Sequence, residues 1–526
     1  MADAQYSPLG LTSLESARHV VAAHGARLLG HPGVVAVRPG FRVVAGELTE
    51  EPAVVVATQP QAGPAAAAPL PERLDGVPVQ MLPASPLELL QGAPRVDSWE
   101  WLAQPTALEA TPEIGYEPPS DARLERVKVA GPVVCHVGPD VGWATLEPFL
   151  QKAEQRLTVA MFDFYAEHII SFFERLAVDK PAMKLELILQ VDPQKEDAIV
   201  SRLEDAWGER LTLAPAVVSG PHRVFANSYH TKVAVRDGTA FWLSSGNWTP
   251  TSQPLIPPGP QPTLYNRGNR EWHAIVEDAD LAATFEAFIR HDIAQAQAAA
   301  AESVPEAALE MPDLFVTESA LEPEAAFVQE HPFLARSFPE DAKPLDIEPL
   351  MTPDNYTTRI RELIEDAKVS LYLQYAYIHM AKELDGYRAI IDAVTKKIRD
   401  KLDVRIIVGS NQTAEHTQAL QALGWTLGKH LRMQRSKLHN KGVLVDSKVA
   451  LVGSQNWSKD GTQYNRDATL VFHDESVVKY FKEVFLFDWD NLTRSPLLPE
   501  MQPMIATEGE PPPGMIRVSW AEWFED

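Results

Sequence analysis

Apolar residues recur along this chain with two periods, and the alternation of those periods divides it into regions. In "SLESARHVVAAHGARLL" they return every three or four residues, which predicts a helix over 13–29. "VVAVRPGFRVVAG" and "AVVVATQ" are β-branched runs that predict strands, and "LDGVPVQML" predicts a further strand after a turn. With the Pro/Ala loop "PQAGPAAAAPLPERL" these elements make residues 1–95 a small α/β module. Residues 96–130 and 298–345 carry Pro and Glu with little periodicity and read as linkers, and 496–526 as a Pro-rich acidic tail.

Between these stretches, residues 131–297 and 346–495 repeat one pattern, the mark of a duplicated folding unit. The first opens "GPDVGWATLEPFLQKAEQRLTVAMFDFYAEHI" and the second "TPDNYTTRIRELIEDAKVSLYLQYAYIHM". Each has a Pro-Asp turn, an amphipathic helix and an apolar strand running to an aromatic residue, Tyr165 or Tyr377. A helix and another apolar strand follow, "KLELILQVD" in one and "DVRIIVGS" in the other. Strands alternating with helices predict an α/β fold of two similar lobes, each a mixed sheet flanked by helices.

Each copy then reaches the same constellation. In "HTKVAVRDGTAFWLSSGN", His230 and Lys232 stand two apart, Asp237 lies five past the lysine, and "SSGN" with Ser245 and Asn247 follows after six residues. "HNKGVLVDSKVALVGSQN" repeats those intervals with His439, Lys441, Asp446, Ser454 and Asn456. Further on, "NREWHAIVED" and "NRDATLVFHD" pair Glu271 with Asp467. From Asn247 to Asn269 is 22 residues against 9 from Asn456 to Asn465, so the first copy carries 13 more, near "PTSQPLIPPGPQP". That insertion is a candidate lid or specificity loop, or a passive surface loop. On a strand, residues two apart project from one face, so each His and Lys would point into one pocket.

Charge and cysteine content then narrow the partners. The 526 residues hold 72 Asp plus Glu against 47 Lys plus Arg, a net charge of −25 that repels a polyanion approaching at random. Within that acidic chain, "GKHLRMQRSKLHNK" holds Lys429, Arg432, Arg435, Lys437 and Lys441 without an acid. It would guide an anionic substrate, nucleic acid or an anionic lipid surface, unless it is simply a solvated connection. One cysteine, Cys135, leaves no intrachain disulfide and argues against a Cys-based zinc site; it reads as a buried small residue. No apolar run reaches membrane-spanning length and no secretory leader is visible, so the expected location is the cytoplasm.

Two histidines, two lysines and two asparagines around one pocket suit a phosphodiester. Its transition state spreads negative charge over non-bridging oxygens, which Lys232, Lys441, Asn247 and Asn456 would hold. One imidazole would attack phosphorus and the other would protonate the leaving oxygen. The constellation lacks the carboxylate cluster of a Mg²⁺ or Ca²⁺ site, so catalysis without metal or other cofactor is expected.

The doubled motif resembles the HxKx4Dx6GSxN signature of the phospholipase D superfamily, and the resemblance covers both repeated regions. It implies a two-lobed α/β fold with the site between lobes, and chemistry through a phosphohistidine. It makes His230 and His439 the nucleophile and acid–base pair, with His230 favoured as nucleophile. It also implies a carboxylate downstream of each motif that orients an imidazole, which Glu271 and Asp467 match, Asp467 being assigned to His439. Ser245 and Ser454 join the asparagines as phosphate ligands, and Asp237 and Asp446 become structural acids. "SSGN" departs from the pattern at Ser244, which replaces a glycine. The leading reading is a hydrolase of phospholipid headgroup diesters, with peripheral contact to an anionic membrane and a site complete in one monomer. The alternatives are a nuclease, a phosphatidyl transferase or cardiolipin synthase-like enzyme, and a non-catalytic binding protein. Trp248 and Trp457 are read as core or path-lining residues, and His168, His273, His379 and His473 as incidental.

Overall fold

The computed structural model describes residues 14–59, 70–90, 94–97, 116–120, 123–190, 193–218, 223–257, 267–302, 313–317, 333–339, 343–381, 383–494, 504–506, 511 and 515–518. In the N-terminal module a helix, Glu15–Leu29, lies over the strands β1 (Val34–Val44), β2 (Glu47–Thr58), β3 (Arg73–Leu74), β4 (Val77–Pro83) and β5 (Arg95–Val96). The helix buries Ala17, Val20, Val21 and Leu28 against Val34, Val37, Val54 and Val56, the helical and alternating stripes that the sequence carries. Phe41 and Leu14 leave that cluster and join the core of the second lobe. Arg38, itself buried, donates to Glu88 at 3.2 Å and to Gln418 at 3.0 Å, and Gln421 Nε2 donates to the Thr49 carbonyl at 2.9 Å. The module therefore docks on the helix Ala414–Ala422 of the second lobe.

After the short β6 (Val127–Val129), the first lobe runs through β7 (Val133–Gly138), β8 (Arg156–Met161), β9 (Lys184–Leu189), β10 (Leu211–Pro215), β11 (Val233–Arg236), β12 (Ala240–Ser244) and β13 (Glu271–Val276). Two strands lie in the connection that follows, β14 (Leu314–Thr317) and β15 (Arg336–Phe338). The second lobe comprises β16 (Leu345–Thr352), β17 (Ser370–Tyr375), β18 (Asp403–Val408), β19 (Leu431–Gln434), β20 (Lys441–Val445), β21 (Val449–Gly453), β22 (Asp467–Phe472) and β23 (Thr493–Arg494), and β24 (Met504–Ile505) and β25 (Met515–Val518) end the chain. The first sheet has the order β10-β9-β8-β11-β12-β13-β7-β15 and the second β23-β19-β18-β17-β20-β21-β22-β16-β6. The seven strands of the repeat thus stand in one order in both lobes. In each, the strands joined by helices are parallel and the motif strands antiparallel.

The segments read as linkers also supply strands. β6 pairs with β16 of the second lobe and β15 with β7 of the first, so each lobe's outer edge is covered by chain that leads into the other lobe. β14 pairs with β24 and β25 from the tail. Three-residue strands are too short to carry a period, and their pairing partners are distant in sequence.

The two sheets face each other across a shared core in which Trp272, Val137 and Leu243 meet Leu444, Val452, Leu470 and Phe481. Trp272 stacks on Phe481 with ring centroids 4.6 Å apart. A Cβ on Gly442 would stand 2.5 Å from the Trp272 ring, so glycine inside β20 is what lets the indole cross between lobes. The repeat-equivalent positions, Val233 and Ala468, carry the reverse sizes. Gly442→Val is expected to cost about 1–3 kcal/mol through overpacking, read as a lower urea midpoint. Adding Trp272→Ala should return part of that loss; a double variant no better than the sum of the two singles would place the clash elsewhere.

Candidate active site

The site forms where the lobes touch. Neither histidine lies in a regular strand: Tyr229 bridges to Arg466 in parallel register, and Leu438 bridges to Arg270. The residue after each bridge partner is then its neighbour across the boundary. His230 N donates to the Arg466 carbonyl at 2.8 Å, and His439 N to the Arg270 carbonyl at 3.2 Å. Consequently His230 Nδ1 meets Asp467 Oδ1 at 2.7 Å, and His439 Nδ1 meets Glu271 Oε1 at 3.0 Å. This corrects the assignment of Asp467 to His439. Each imidazole is held by the acid of the opposite lobe, because the bridges and not chain proximity set which side chains adjoin.

The two rings lie 6.4 Å apart, centroid to centroid, at 69°. Lys441 Nζ donates to His439 Nε2 at 2.6 Å and to the carbonyls of His439 and Ser245 at 2.7 and 3.3 Å. Lys232 Nζ donates to the His230 carbonyl at 2.8 Å and lies 5.1 Å from the centre of the Phe162 ring. His230 Nε2 is buried with no hydrogen-bond partner among the described residues, and so is Asn456 Oδ1. Burial first, and then the charge of Lys232, push the His230 imidazole down to about 4, while Asp467 opposes them. His230 is therefore neutral at neutral pH, with its proton on Nδ1 facing Asp467 and its Nε2 lone pair directed away from it. Asp467 is itself buried, which raises it, but the hydrogen bonds of His230 and Ser454 and the charge of Lys232 outweigh that and hold it below its ordinary value.

Several motif residues stand elsewhere than the pocket. Ser454 Oγ donates to Asp467 Oδ1 at 2.6 Å and accepts from Ala468 N at 3.1 Å, and Ser245 Oγ accepts from Trp272 N at 3.0 Å. Their hydroxyls thus brace the strands that carry the acids. Asp237 accepts from the backbone N–H groups of Glu154, Gln155 and Arg156 at 2.7–2.9 Å, and Asp446 from those of Lys368, Val369 and Ser370 over the same range. Both sit at positive φ, 53° and 52°, in the tight turn after the first motif strand. Trp248 packs on Phe164 and Phe173, and Trp457 on Tyr375, fully buried in the lobe cores. Of the basic run, Arg432 stacks on Trp489 at 4.2 Å and donates to the Gly428 carbonyl, and Lys441 is in the site. Lys429 and Arg435 are exposed and Lys437 is half-buried. The insertion after Asn247 lies partly outside the described residues.

Sequence reading missed the arginines of the "NR" pair. Arg270 is fully buried and donates to Asp488 at 2.8 and 3.0 Å, to Asp140 at 2.5 Å and to the Gly138 carbonyl at 2.8 Å. Arg466 donates to Asp292 at 2.9 Å and to Asp354 at 2.7 Å, and Tyr229 OH donates to Asp292 at 2.9 Å. Each guanidinium thus takes one carboxylate from each lobe. The signal was present in both repeats, in the Pro-Asp turns that end at Asp140 and Asp354, yet only the fold brings Asp488 and Asp292 to them.

Buried neutral histidines make the fold sensitive to acid. Burial pushes His136 down to about 3 and His273 and His379 well below their ordinary range, beside His230 at about 4. The unfolded chain protonates these groups below about 6.5 and the folded chain does not. Their contribution is therefore present above pH 6.5 and is lost as pH falls from there toward 4, at up to about 1.4 kcal/mol per pH unit for each group. Urea midpoints measured from pH 7.5 to 4.5 should fall throughout that interval. A flat profile down to pH 5 would mean that these rings protonate in the folded state.

The family described as "Cardiolipin synthase, PLD-like domain" matches residues 360–489. With the motif present twice, the chain is similar to the phospholipase D superfamily, and the matched family lies over the second motif. Mitochondrial cardiolipin hydrolase of Canis lupus familiaris is 37% identical over 65 residues, 12% of this chain and 26% of that protein. The Xenopus tropicalis protein of the same name is 32% identical over 88 residues, 16% of this chain and 41% of that one. The chain thus matches less than half the length of these curated relatives. Phosphatidylserine synthase of Haemophilus influenzae superposes with a TM-score of 0.45 at 12% identity, over 69% of this chain and 87% of that one. No helix among the described residues is long and apolar enough to cross a membrane.

Proposed function

We propose that the chain is a phosphodiesterase that cleaves a phospholipid headgroup diester through a covalent phosphohistidine on His230, without a metal ion. One observation carries this reading: two imidazoles, each held at Nδ1 by a carboxylate of the other lobe, face one another 6.4 Å apart between two buried lysines. His230 Nε2 attacks phosphorus while the leaving oxygen takes the Nε2 proton of His439. Water then gives a proton to His439 Nε2 as its oxygen attacks phosphorus, and the P–N bond breaks with its electron pair returning to His230.

His230 is the better nucleophile because its Nε2 is unengaged, whereas that of His439 accepts from Lys441. A bound phosphate draws Lys441 onto its own oxygens, which frees His439 to take up the proton it must donate. Lys232, Lys441, Asn247 and Asn456 supply the charge and hydrogen bonds for the non-bridging oxygens. The word cardiolipin in the names of the matched family and of the relatives supports a lipid over a nucleic acid as substrate. Transfer to an alcohol in place of water is the second reading. It is favoured by the description of the matched family as a cardiolipin synthase.

The test offers phosphatidylcholine, cardiolipin and single-stranded DNA separately, with and without EDTA and with added glycerol. Cleavage of a phospholipid that survives EDTA and vanishes in His230→Ala and His439→Ala is expected, with loss of at least about 10⁴ in kcat. Cleavage of DNA alone would overturn the lipid reading, and loss of activity with EDTA would overturn the metal-free one. Unchanged rates in the histidine variants would place the reaction elsewhere.

A further inference from the structure

Strand register stacks the outer face of each motif sheet in layers. In the first lobe Glu271 pairs with Gly138, and the layer beneath joins His273 to His136 and to Ser244. In the second lobe the corresponding residues are Thr469, Leu350 and Gly453. The layer under the acid thus holds stacked histidines in one lobe and, in the other, Thr469 bonded to Gln455, which donates to Thr352. Ser244, the departure from the motif glycine, bonds His273 Nδ1 at 2.6 Å and accepts from Gly246 N at 2.7 Å. Gly246 in turn leaves the space in which the Glu271 carboxylate sits, since a Cβ there would overlap it.

The insertion found only in the first copy feeds this layer. Its Ser252 Oγ donates to Glu271 Oε1 at 2.9 Å. The next residue, Gln253, is fully buried, and neither atom of its amide has a partner among the described residues. His273 Nε2 and both ring nitrogens of His136 are likewise buried without a partner among those residues. Gln253 Oε1 and His273 Nε2 both lie against Gly142: a Cβ there would stand 2.9 Å from the first and 3.7 Å from the second. His136 and His273 stack at 4.6 Å, which brings the two rings that carry the other orphaned nitrogens together. Buried polar atoms in that number are satisfied by water when protein does not reach them. The groups there are neutral donors and acceptors, which suits water and not an ion.

We propose that the polar layer under Glu271 is a bound-water site, and that Gln253 and Ser252, brought by the insertion, are positioning residues for the Glu271–His439 pair. Water there completes the hydrogen bonds of Gln253 and His273, fixes Ser244 and Gly246, and so holds the carboxylate against His439. The Asp467–His230 pair is braced by Ser454 above Thr469, Gln455 and Thr352, which bond one another directly. The asymmetry fits the unequal tasks of the two histidines, of which only His439 exchanges a proton twice per turnover. The role assigned to Gln253 rests on the phosphohistidine reading; the water site does not.

Two measurements test it. A crystal structure at atomic resolution is expected to show ordered water between the Gln253 amide and His273 Nε2. A dry space, with Gln253 bonded directly to either histidine, would overturn the water site whatever the enzyme does. Gln253→Met keeps the volume and removes the polar atoms. On bis(p-nitrophenyl) phosphate its kcat should fall about tenfold with KM and melting temperature unchanged, while Gln253→Glu, which can still bond water, should retain more of the rate. A Met variant with unaltered kcat overturns the positioning role and leaves the proposed function standing. A wild-type protein that cleaves no diester defeats the proposed function and leaves the water site to the crystal.

Discussion

Asp467→Asn lowers kcat by about 10⁴, the loss seen in hydrolytic triads when the carboxylate behind a catalytic imidazole becomes an amide. The effect follows from the 2.7 Å contact between Asp467 and His230 Nδ1, made across the lobe boundary. An amide at that position offers an N–H to Nδ1, which moves the ring proton to Nε2 and removes the lone pair that attacks phosphorus. Global stability should change far less, because the amide keeps the size and its second N–H can donate to Ser454 Oγ, which meets the same Oδ1 atom as His230. The cross-lobe pairing makes a sharper statement. In protein with ¹⁵N-labelled histidine, Asp467→Asn should alter the Nδ1 resonance of His230 and leave that of His439, and Glu271→Gln should do the reverse. Signals assigned with the two His→Ala variants decide it, and the opposite outcome would restore the within-lobe pairing.

Arg270→Ala is expected to destabilise the chain by about 3–5 kcal/mol, since it leaves buried carboxylates without their cation. Asp140 and Asp488 come from different lobes and converge on this one guanidinium, which is fully buried. Unpaired, each must either protonate or draw in water, and either outcome loosens the lobe contact. The backbone carbonyl of Arg270 also receives the His439 amide, so kcat should fall together with stability. Denaturation in urea measures the first effect. The second variant is Arg270→Met with Asp140→Asn and Asp488→Asn, which removes the charges together and should recover much of the stability. Arg270→Ala within 1 kcal/mol of wild type would show that the interlobe ion group contributes little.

The duplication itself was legible in the residues. Two copies of His-x-Lys at one spacing, each after a matching helix–strand pattern, determine the α/β lobes, their likeness to each other and the pair of histidines. That legibility has a local cause, because apolar period and motif spacing are properties of contiguous chain. The module at 1–95 was visible for the same reason, although its seat against Ala414–Ala422 was not.

Tertiary structure alone decided which groups meet. Asp467 lies 28 residues past His439 and yet orients His230, because a parallel bridge between Tyr229 and Arg466 sets one chain beside the other. The short strands β6 and β15 cross to the opposite lobe, and Arg270 and Arg466 gather acids from both. Ser244, read as a minor departure from a motif glycine, proves to bond His273 in a layer that its counterpart Gly453 lacks. Such contacts join residues far apart in sequence through complementary size, charge and register. A single chain of letters records the composition of each partner, and only the packed sheets record the pairing.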